Sequence, residues 1–244
     1  METFNYEFDS ESFEIFPRKI WKYTDVFFHG TSAFYSEDIE KKGFIKSFIP
    51  FLLEDAKELV HTLELSGIKE FDNFNHDVTL SSTLNNYIED LKSFRLSFAY
   101  LSSSCIPFST GRKKGGQILG KIRCAEDIIS KAISYHPEIK NKISPNIKNL
   151  FKLEQNVANA NGVVYAVELS DYEEISVEGG IIYSGRNIPS TSIIGKVILP
   201  NNFNYFGCDA TAIKKKNKEK ILKGIGRTLD SLQYEEWMFS GKNI

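Results

Sequence analysis

The amino-acid sequence predicts an α+β protein, and two patterns support this prediction. Three apolar runs rich in β-branched residues follow one another at 163–169, 177–184 and 193–200, with no helical pattern between them. Strands that follow one another in this way pair antiparallel. Between the earlier apolar runs at 26–28 and 98–101, apolar residues instead recur with helical spacing. We therefore expect helices to be inserted between the early strands of the sheet.

Length and composition bound the classes to which the protein can belong. With 244 residues, of which 41% are hydrophobic and 25% charged, the chain is long enough to bury the core of one large domain. We expect this domain over 25–200, an N-terminal arm over 1–24, and a basic helix and tail packed on the domain over 201–244. The formal net charge of -2 gives no overall attraction to nucleic acid or to an anionic membrane. Such a partner would have to meet a local patch.

Cysteine usage and the first residues indicate where the protein works. Cys105, Cys124 and Cys208 have no close Cys or His neighbours, which favours reduced thiols over a disulfide frame or a zinc site. The acidic, aromatic stretch 1–10 lacks the composition of a secretory signal, and no apolar run reaches the roughly 18 residues of a membrane span. We expect a cytoplasmic protein without a membrane partner, although a leaderless route could deliver it to another cell. No metal site is predicted, because the remaining histidines lack partners at ligand spacing: His61, His76 and His136.

Apolar spacing and chain breakers set the expected boundaries of the elements. The alternating aromatics of 1–24 predict an arm or edge strand. Additional strands are expected at 98–101 and 117–122, on either side of a basic turn at 111–116. Gly43 and Ser144 are the expected caps of two helices. Helical spacing is present at 34–43, 51–65, 71–93, 125–135, 144–160 and 210–223.

Residues 26–32 carry the clearest chemical signal in the chain. An apolar run ends in His29-Gly30 and is followed by the hydroxyl residues Thr31 and Ser32. This pattern indicates a buried strand that brings an imidazole and an uncovered backbone to the rim of a pocket, because glycine has no side chain to block a ligand. A short helix and the pair Gly43-Phe44 complete this unit. The alternative is a core histidine whose hydrogen bonds are satisfied within the protein.

Two further signals follow in the chain, and together they suggest a family. Tyr100 precedes serines at 102–104, and Glu178 precedes an apolar strand and the turn Ile188-Pro189. In this order, the His-Gly, Tyr and Glu signals resemble the His-Tyr-Glu branch of the ADP-ribosyltransferases, the group of the poly(ADP-ribose) polymerases and diphtheria toxin. Residues 162–194 are also similar to RNA 2′-phosphotransferases. The resemblance covers about residues 24–200 and implies an ADP-ribosyltransferase-like split antiparallel β-sandwich with inserted helices.

The resemblance assigns roles in cleaving the bond between nicotinamide and ribose in NAD+. It implies that the Gly30 backbone pairs with the carboxamide, that His29 binds a ribose hydroxyl, and that Tyr100 stacks on the nicotinamide ring. An oxocarbenium-like transition state needs a nearby carboxylate, an oriented leaving group and little water, and these residue types can supply such a setting. The implied NAD site also includes Thr31, and Ser102 or Ser104.

The catalytic carboxylate has two candidates. Glu178 lies at the edge of an expected core strand, where the resemblance places the residue that stabilises the ribosyl cation. Glu236, with Glu235, lies in a Gln-Tyr-Glu-Glu-Trp segment that is similar to the Gln-x-Glu turn of toxin-type transferases. Glu178 is favoured because little chain follows Glu236, whereas a strand normally comes after such a turn. For either residue the alternative is a solvated acidic turn.

Two basic clusters are candidates for phosphate binding. Arg112, Lys113 and Lys114 could contact the NAD diphosphate or a nucleic-acid phosphate. Six lysines between Lys214 and Lys223 could contact the backbone of RNA or DNA. For each cluster, a solvated basic surface is the alternative.

We therefore predict an NAD-dependent mono-ADP-ribosyltransferase that modifies a protein or a nucleic acid. By analogy with the family, such an enzyme suits a bacterial toxin, effector or phage-defence system. The implied partners are NAD+, a macromolecular acceptor and, for a toxin, an antitoxin or immunity protein. Two alternatives stay open: an NAD-dependent RNA 2′-phosphotransferase, and a binding module for ADP-ribose or nucleic acid that has lost catalysis.

Overall fold

The computed structural model describes residues 1–7, 14–23, 25–46, 53–65, 96–99, 102–110, 114–135, 137–169, 175–178, 181–201 and 203. Within these residues, seven strands form one mixed sheet and helices pack against it, which confirms the predicted α+β class. The expected helices at 71–93 and 210–223 lie outside the described residues, and the domain boundaries stay predictions. No helix in the described ranges is long and apolar enough to cross a membrane.

The sheet has the strand order β1-β7-β4-β2-β3-β6-β5. All neighbouring strands pair antiparallel, as expected, except β1, which runs parallel to β7 at one edge. This edge position agrees with the arm or edge strand that we predicted within 1–24. The strands are β1 Glu2–Phe4, β2 Val26–Ser32, β3 Leu96–Ala99, β4 Gly162–Glu168, β5 Ile175–Glu178, β6 Ile181–Ser184 and β7 Ile193–Leu199.

Most of the predicted helices are confirmed, together with their caps. Gly43 ends the first helix with φ of 81°, and the Ser144 hydroxyl accepts a hydrogen bond from the amide of Ile147 at the start of the fifth. The helices are α1 Ser36–Lys42, α2 Leu53–Leu65, α3 Ile106–Thr110, α4 Gln117–Tyr135 and α5 Pro145–Asn159. Short 3-10 turns cover Arg18–Lys22, Ala33–Tyr35, Ser102–Cys105, Pro137–Lys142 and Ser190–Ser192.

Two predicted strands are wrong in detail. Residues 117–122 are helical, because the buried residues Leu119, Ile122, Ala125 and Ile129 keep helical spacing through the whole of α4. The apolar run at 177–184 belongs to two strands, β5 and β6, which pair antiparallel with Glu178 opposite Ile181. A short apolar run does not distinguish one strand from a hairpin or a helix, so these errors have a common origin.

Buried side chains form one cluster on the sheet and another among the helices. The sheet cluster joins Val26 and Phe28 of β2 to Phe4, Phe16 and Ile106 of the arm and α3. The helix cluster joins Tyr35, at the end of the turn after β2, to the apolar faces of α2, α4 and α5. The sheet cluster therefore packs the start of the strand that carries His29-Gly30 against the N-terminal arm. The helix cluster anchors the turn that follows the end of this strand.

Lys114 corrects the interpretation of the basic turn. We expected it to contact phosphate or solvent, but it is only 2% exposed. Its ammonium donates to the carbonyls of Ala158 (2.9 Å) and Ala160 (2.7 Å) and to Oδ1 of Asn201 (2.7 Å). The C-terminal carbonyls of a helix lack partners in the helix and carry a partial negative charge, so a cation is stabilised there. Lys114 therefore caps the end of α5.

The capping role predicts a loss of stability in Lys114→Met. This change keeps most of the apolar stem but leaves helix-end carbonyls without their donor, so the free energy of unfolding should fall by about 1 to 2 kcal/mol. Urea unfolding at neutral pH measures the change. Lys148→Met, at an exposed position of the same helix, is the matched control and should stay within about 0.5 kcal/mol of wild type. Equal stability of the two variants would contradict the capping role.

Candidate functional site

The backbone of Gly30 faces away from β4, and the hydrogen bonds at the two ends of β2 establish this. Every residue of β2 is paired with β4, from Val26↔Glu168 to Ser32↔Gly162. Just beyond the two ends of this pairing, the Leu169 amide donates to the Asp25 carbonyl and the Ala33 amide donates to the Asn161 carbonyl. The hydrogen-bonded pairs of β2 and β4 are therefore those of the odd-numbered residues of β2. Because bonded and non-bonded pairs alternate in an antiparallel ladder, the N–H and C=O of Gly30 point toward β3.

The ladder between β2 and β3 stops just before it reaches Gly30. In the described part of both strands, Phe28↔Ala99 is the one paired position. Two residues further along, the same register would bring Gly30 opposite Ser97, but this pair is not made. The sheet therefore opens between β2 and β3, and the Gly30 backbone groups face that opening.

His29 bridges the opening with its side chain. Its Nδ1 lies 2.9 Å from the carbonyl oxygen of Ser97, which is the group that a continued ladder would have used. Since a carbonyl can only accept, Nδ1 carries the proton, and the neutral ring presents Nε2 as an acceptor. Burial lowers the pKa of His29, and the bond to the Ser97 carbonyl opposes this shift in part. The half-buried imidazole is therefore held in its neutral form with one acceptor nitrogen to offer.

Aromatic rings hold the imidazole on this face of the sheet. Its ring centroid lies 4.9 Å from that of Phe44 and 5.7 Å from that of Phe98. Phe44 is fixed in turn by two backbone hydrogen bonds with Ile188, of 2.8 and 2.9 Å. At Gly43 a Cβ would lie 2.0 Å from the Ile188 carbonyl oxygen, so only glycine allows this approach. The Gly43-Phe44 pair and the Ile188-Pro189 turn, separate in the sequence, thus meet beside His29.

On the opposite face, a helix packs directly onto Gly30. A Cβ at this position would lie 2.3 Å from the Cys105 carbonyl oxygen and 2.7 Å from Oγ of Ser109. Gly162, the first residue of β4, pairs with Ser32 of β2 and shows the same restriction. A Cβ at this position would lie 2.5 Å from the Ser109 carbonyl oxygen. The sequence suggested that Gly30 is bare for a ligand. Packing of the 102–110 segment requires glycine at this position as well.

The thiol of Cys105 is a neighbour of the Gly30 amide. Burial raises the pKa of Cys105, and the negative charge of Glu14 raises it further, whereas a hydrogen bond from the Gly30 N–H lowers it. The thiol therefore stays protonated near neutral pH, and a thiol sulfur is a weak acceptor. The Gly30 N–H consequently has a partner that a carbonyl oxygen could replace with a stronger bond.

The two hydroxyl residues predicted near the ligand are both buried. Thr31 is 7% exposed and Ser102 is 0% exposed. The Ser102 hydroxyl donates to the Glu14 carboxylate, its amide donates to the same group at 3.1 Å, and its oxygen accepts from the Ile15 amide at 2.8 Å. Ser102 therefore ties the N-terminal arm to the sheet, and its proton is already used. Ser104, its alternative, is half-buried.

Of the remaining predicted site residues, the structure describes the backbone of Glu178 but not the others. Register relates Glu178 to the opening: Glu178 pairs with Ile181, Ile181 with Ala99, and Ala99 with Phe28. Three strand spacings separate the backbones of Glu178 and Phe28, which is about 14 Å. The other candidates lie outside the described residues: Tyr100, Arg112, Glu235, Glu236 and the lysines of 214–223.

Two residues at the opening were not predicted from the sequence. Ser97 contacts His29, and Cys105 lies beside Gly30, through pairings between distant parts of the chain. Antiparallel pairing of the expected strands 26–28 and 98–101 would bring the chain near residue 97 toward residue 30, but the sequence does not set the register that makes this contact.

Comparison of the chain with protein-family models, curated proteins and solved structures gives no match. The site is therefore interpreted from its geometry. Within the described ranges, no three His, Cys, Asp or Glu side chains are grouped so that they could hold a metal ion. The site offers a backbone donor and acceptor, one neutral imidazole and surrounding aromatic rings, a combination suited to binding an uncharged amide and a hydroxyl.

The lowered pKa of His29 predicts a specific pH dependence of stability. As pH falls below about 6.5, the unfolded chain takes up a proton on this residue before the folded chain does, so wild type loses stability. Between about pH 7.5 and 5.5, wild type should lose about 1 kcal/mol more than His29→Gln does. Urea unfolding at both pH values measures this difference.

The control is His61→Gln, at an exposed position of α2. Because this variant keeps His29, its loss of stability between the two pH values should exceed that of His29→Gln. If His29→Gln loses as much stability on acidification as wild type does, the account of a neutral, half-buried His29 is wrong.

Proposed function

We propose that the chain binds NAD+ in the opening between β2 and β3 and transfers ADP-ribose to a macromolecular acceptor. The observation that carries the proposal is the end of the β2–β3 ladder before Gly30. The adjacent N–H and C=O of this residue face the opening in the orientation that a neighbouring strand would otherwise use. A ligand that binds there can replace the missing strand.

A carboxamide is complementary to this backbone pair. It carries one acceptor, its carbonyl oxygen, and donors on its nitrogen, so it can accept from the Gly30 N–H and donate to the Gly30 C=O. The carboxamide oxygen would take the place of the Cys105 thiol at the amide. Nicotinamide presents such a group on a flat ring, and Tyr100 is predicted to stack on that ring.

The neutral state of His29 supports a ribose next to the nicotinamide. Because Nδ1 donates to Ser97, the free nitrogen Nε2 requires a donor, and a ribose hydroxyl is one. Protonation would turn Nε2 into a donor and remove this complementarity. Burial lowers the pKa of His29 and so favours the form that binds a hydroxyl.

In the proposed reaction, the bond between ribose C1′ and the nicotinamide nitrogen breaks, and its electron pair leaves with nicotinamide. The acceptor then forms a bond to C1′ and releases its proton. Glu178 would stabilise the positive charge on the ribose, because a carboxylate close to a developing cation lowers the barrier. Two strands, β3 and β6, lie between β2 and the strand of Glu178, so the proposal requires the ribose to extend over the face of these strands toward the glutamate.

Sheet geometry also supports the proposed family resemblance. Four strands, β1, β7, β4 and β2, lie on one side of the opening, and three, β3, β6 and β5, lie on the other. The single pair Phe28↔Ala99 joins the two groups within the described residues. A split sheet of this kind is what the ADP-ribosyltransferase-like fold implies, with helices inserted between the early strands.

Incubation with NAD+ labelled in its adenylate part tests the proposal. Separate reactions contain a cell protein extract, total RNA or DNA. We expect label to enter one macromolecular pool, and free ADP-ribose alone would indicate a glycohydrolase instead. Release of 2′-phosphate from a phosphorylated RNA would favour the phosphotransferase. Binding without any NAD+ turnover would favour the inactive module, and neither binding nor turnover would contradict the proposal.

Two glutamine variants identify the catalytic carboxylate. Glu178→Gln removes the charge but keeps the size of the side chain, so transfer should fall by about 100-fold or more while NAD+ binding persists. Glu236→Gln is the matched control and should retain most of the activity. Radiolabel transfer and calorimetric NAD+ binding measure the two properties. Full activity of Glu178→Gln with an inactive Glu236→Gln would move the catalytic role to the tail.

A further inference from the structure

A polar network lies one strand away from His29 and has no role in the proposed chemistry. Tyr165, on β4, is 0% exposed, and its hydroxyl lies 2.9 Å from Oγ of Ser36 and 3.2 Å from Oε1 of Glu40, both on α1. Lys196, on β7, forms an ion pair with the same Glu40 carboxylate. These contacts fasten α1 to two central strands of the sheet.

The direction of each bond follows from the chemistry of the groups. Burial raises the pKa of Tyr165, and the charge of Glu40 raises it further, so the phenol keeps its proton. A carboxylate can only accept, so Tyr165 donates to Glu40, and its oxygen can accept from the Ser36 hydroxyl. With Lys196 balancing the charge of Glu40, every member of the network has a partner, which is the condition for a buried polar network to rigidify its surroundings.

This network is connected to His29 in two ways. In the register of the sheet, His29 pairs with Tyr165 and Tyr165 pairs with Lys196, so the three side chains share one face. Above this row, the ring of Phe44 lies 5.6 Å from that of Tyr165 and 4.9 Å from that of His29, by centroid distance. Tyr165 thus supports the same aromatic ring that covers the imidazole.

We propose that Tyr165, Glu40 and Lys196 form a positioning network that holds Phe44 over His29 and so keeps the imidazole in one orientation. Only the consequence for ribose binding rests on the proposed function. The network itself does not touch the ligand. By fixing α1, it fixes the segment through Gly43 to Phe44, and Phe44 excludes water from one side of the imidazole.

The test follows the four imidazoles of the protein by nitrogen-15 NMR after labelling of histidine. His29→Gln identifies the signals of His29. In Tyr165→Phe the hydroxyl is lost, α1 and Phe44 loosen, and more water reaches the imidazole. The desolvation that lowers the pKa of His29 then weakens, so the midpoint of its titration should rise by about 0.5 toward the value of a free imidazole.

Tyr35→Phe is the matched control, because it also removes a hydroxyl from a buried tyrosine but lies in the helix cluster. It should leave the titration of His29 unchanged even if the melting temperature falls. If Tyr165→Phe folds and His29 titrates as in wild type, the proposal is overturned. If Tyr165→Phe does not fold, Glu40→Gln, which breaks the ion pair with Lys196, takes its place. The same rise in the titration midpoint of His29 is expected in Glu40→Gln, and its absence overturns the proposal.

Kinetics with NAD+ separate this inference from the proposed function. If NAD+ is turned over, Tyr165→Phe should raise KM more than it lowers kcat, because a misplaced His29 weakens ribose binding. If wild type does not turn over NAD+, the proposed function fails, whereas a shifted titration of His29 in Tyr165→Phe would still support the network.

Discussion

The end of the β-ladder between β2 and β3 is the constraint on which the site depends. A backbone N–H or C=O that faces a sheet interior must find a partner, because an unpaired buried group costs free energy. After Phe28↔Ala99, the chain meets this requirement with groups other than a strand. The Ser97 carbonyl accepts a hydrogen bond from the His29 side chain, and the Cys105 thiol lies beside the Gly30 amide. Both substitutes place polar groups at one opening of the sheet.

Different structures hold the opening in place on the two faces of the sheet. On one face, the 102–110 segment lies so close to Gly30 and Gly162 that a Cβ on either would meet backbone oxygen. On the other, Phe44 covers His29 and is held by Ile188 and by the ring of Tyr165. Gly30 therefore has a packing role and, in the proposed function, a binding role. Both require the same missing side chain, so the two roles are compatible.

Local signals in the sequence predicted the strand of His29-Gly30 and the helix ends at Gly43 and Ser144, because a strand pattern or a cap depends on near neighbours. The contacts around the opening depend on pairing between distant parts of the chain, so local signals did not predict them. Ser97 lies 68 residues from His29, and the ladder between their strands ends before Gly30 although the register would allow it to continue. The strand expected at 117–122 failed because its apolar run is short. The buried Lys114 was missed because a run of basic residues does not reveal which one turns inward.

The central claim is that the Gly30 amide binds a carboxamide, and one NMR measurement tests it most directly. His29-Gly30 is the one His-Gly pair in the sequence, so carbonyl-13C histidine combined with 15N glycine selects the Gly30 amide alone. Titration with NAD+, or with nicotinamide, should shift this signal downfield and saturably, because a carbonyl oxygen replaces a weaker thiol acceptor. Nicotinic acid, which lacks the amide nitrogen, should produce a smaller shift. An unchanged Gly30 signal at saturating NAD+ would contradict the account.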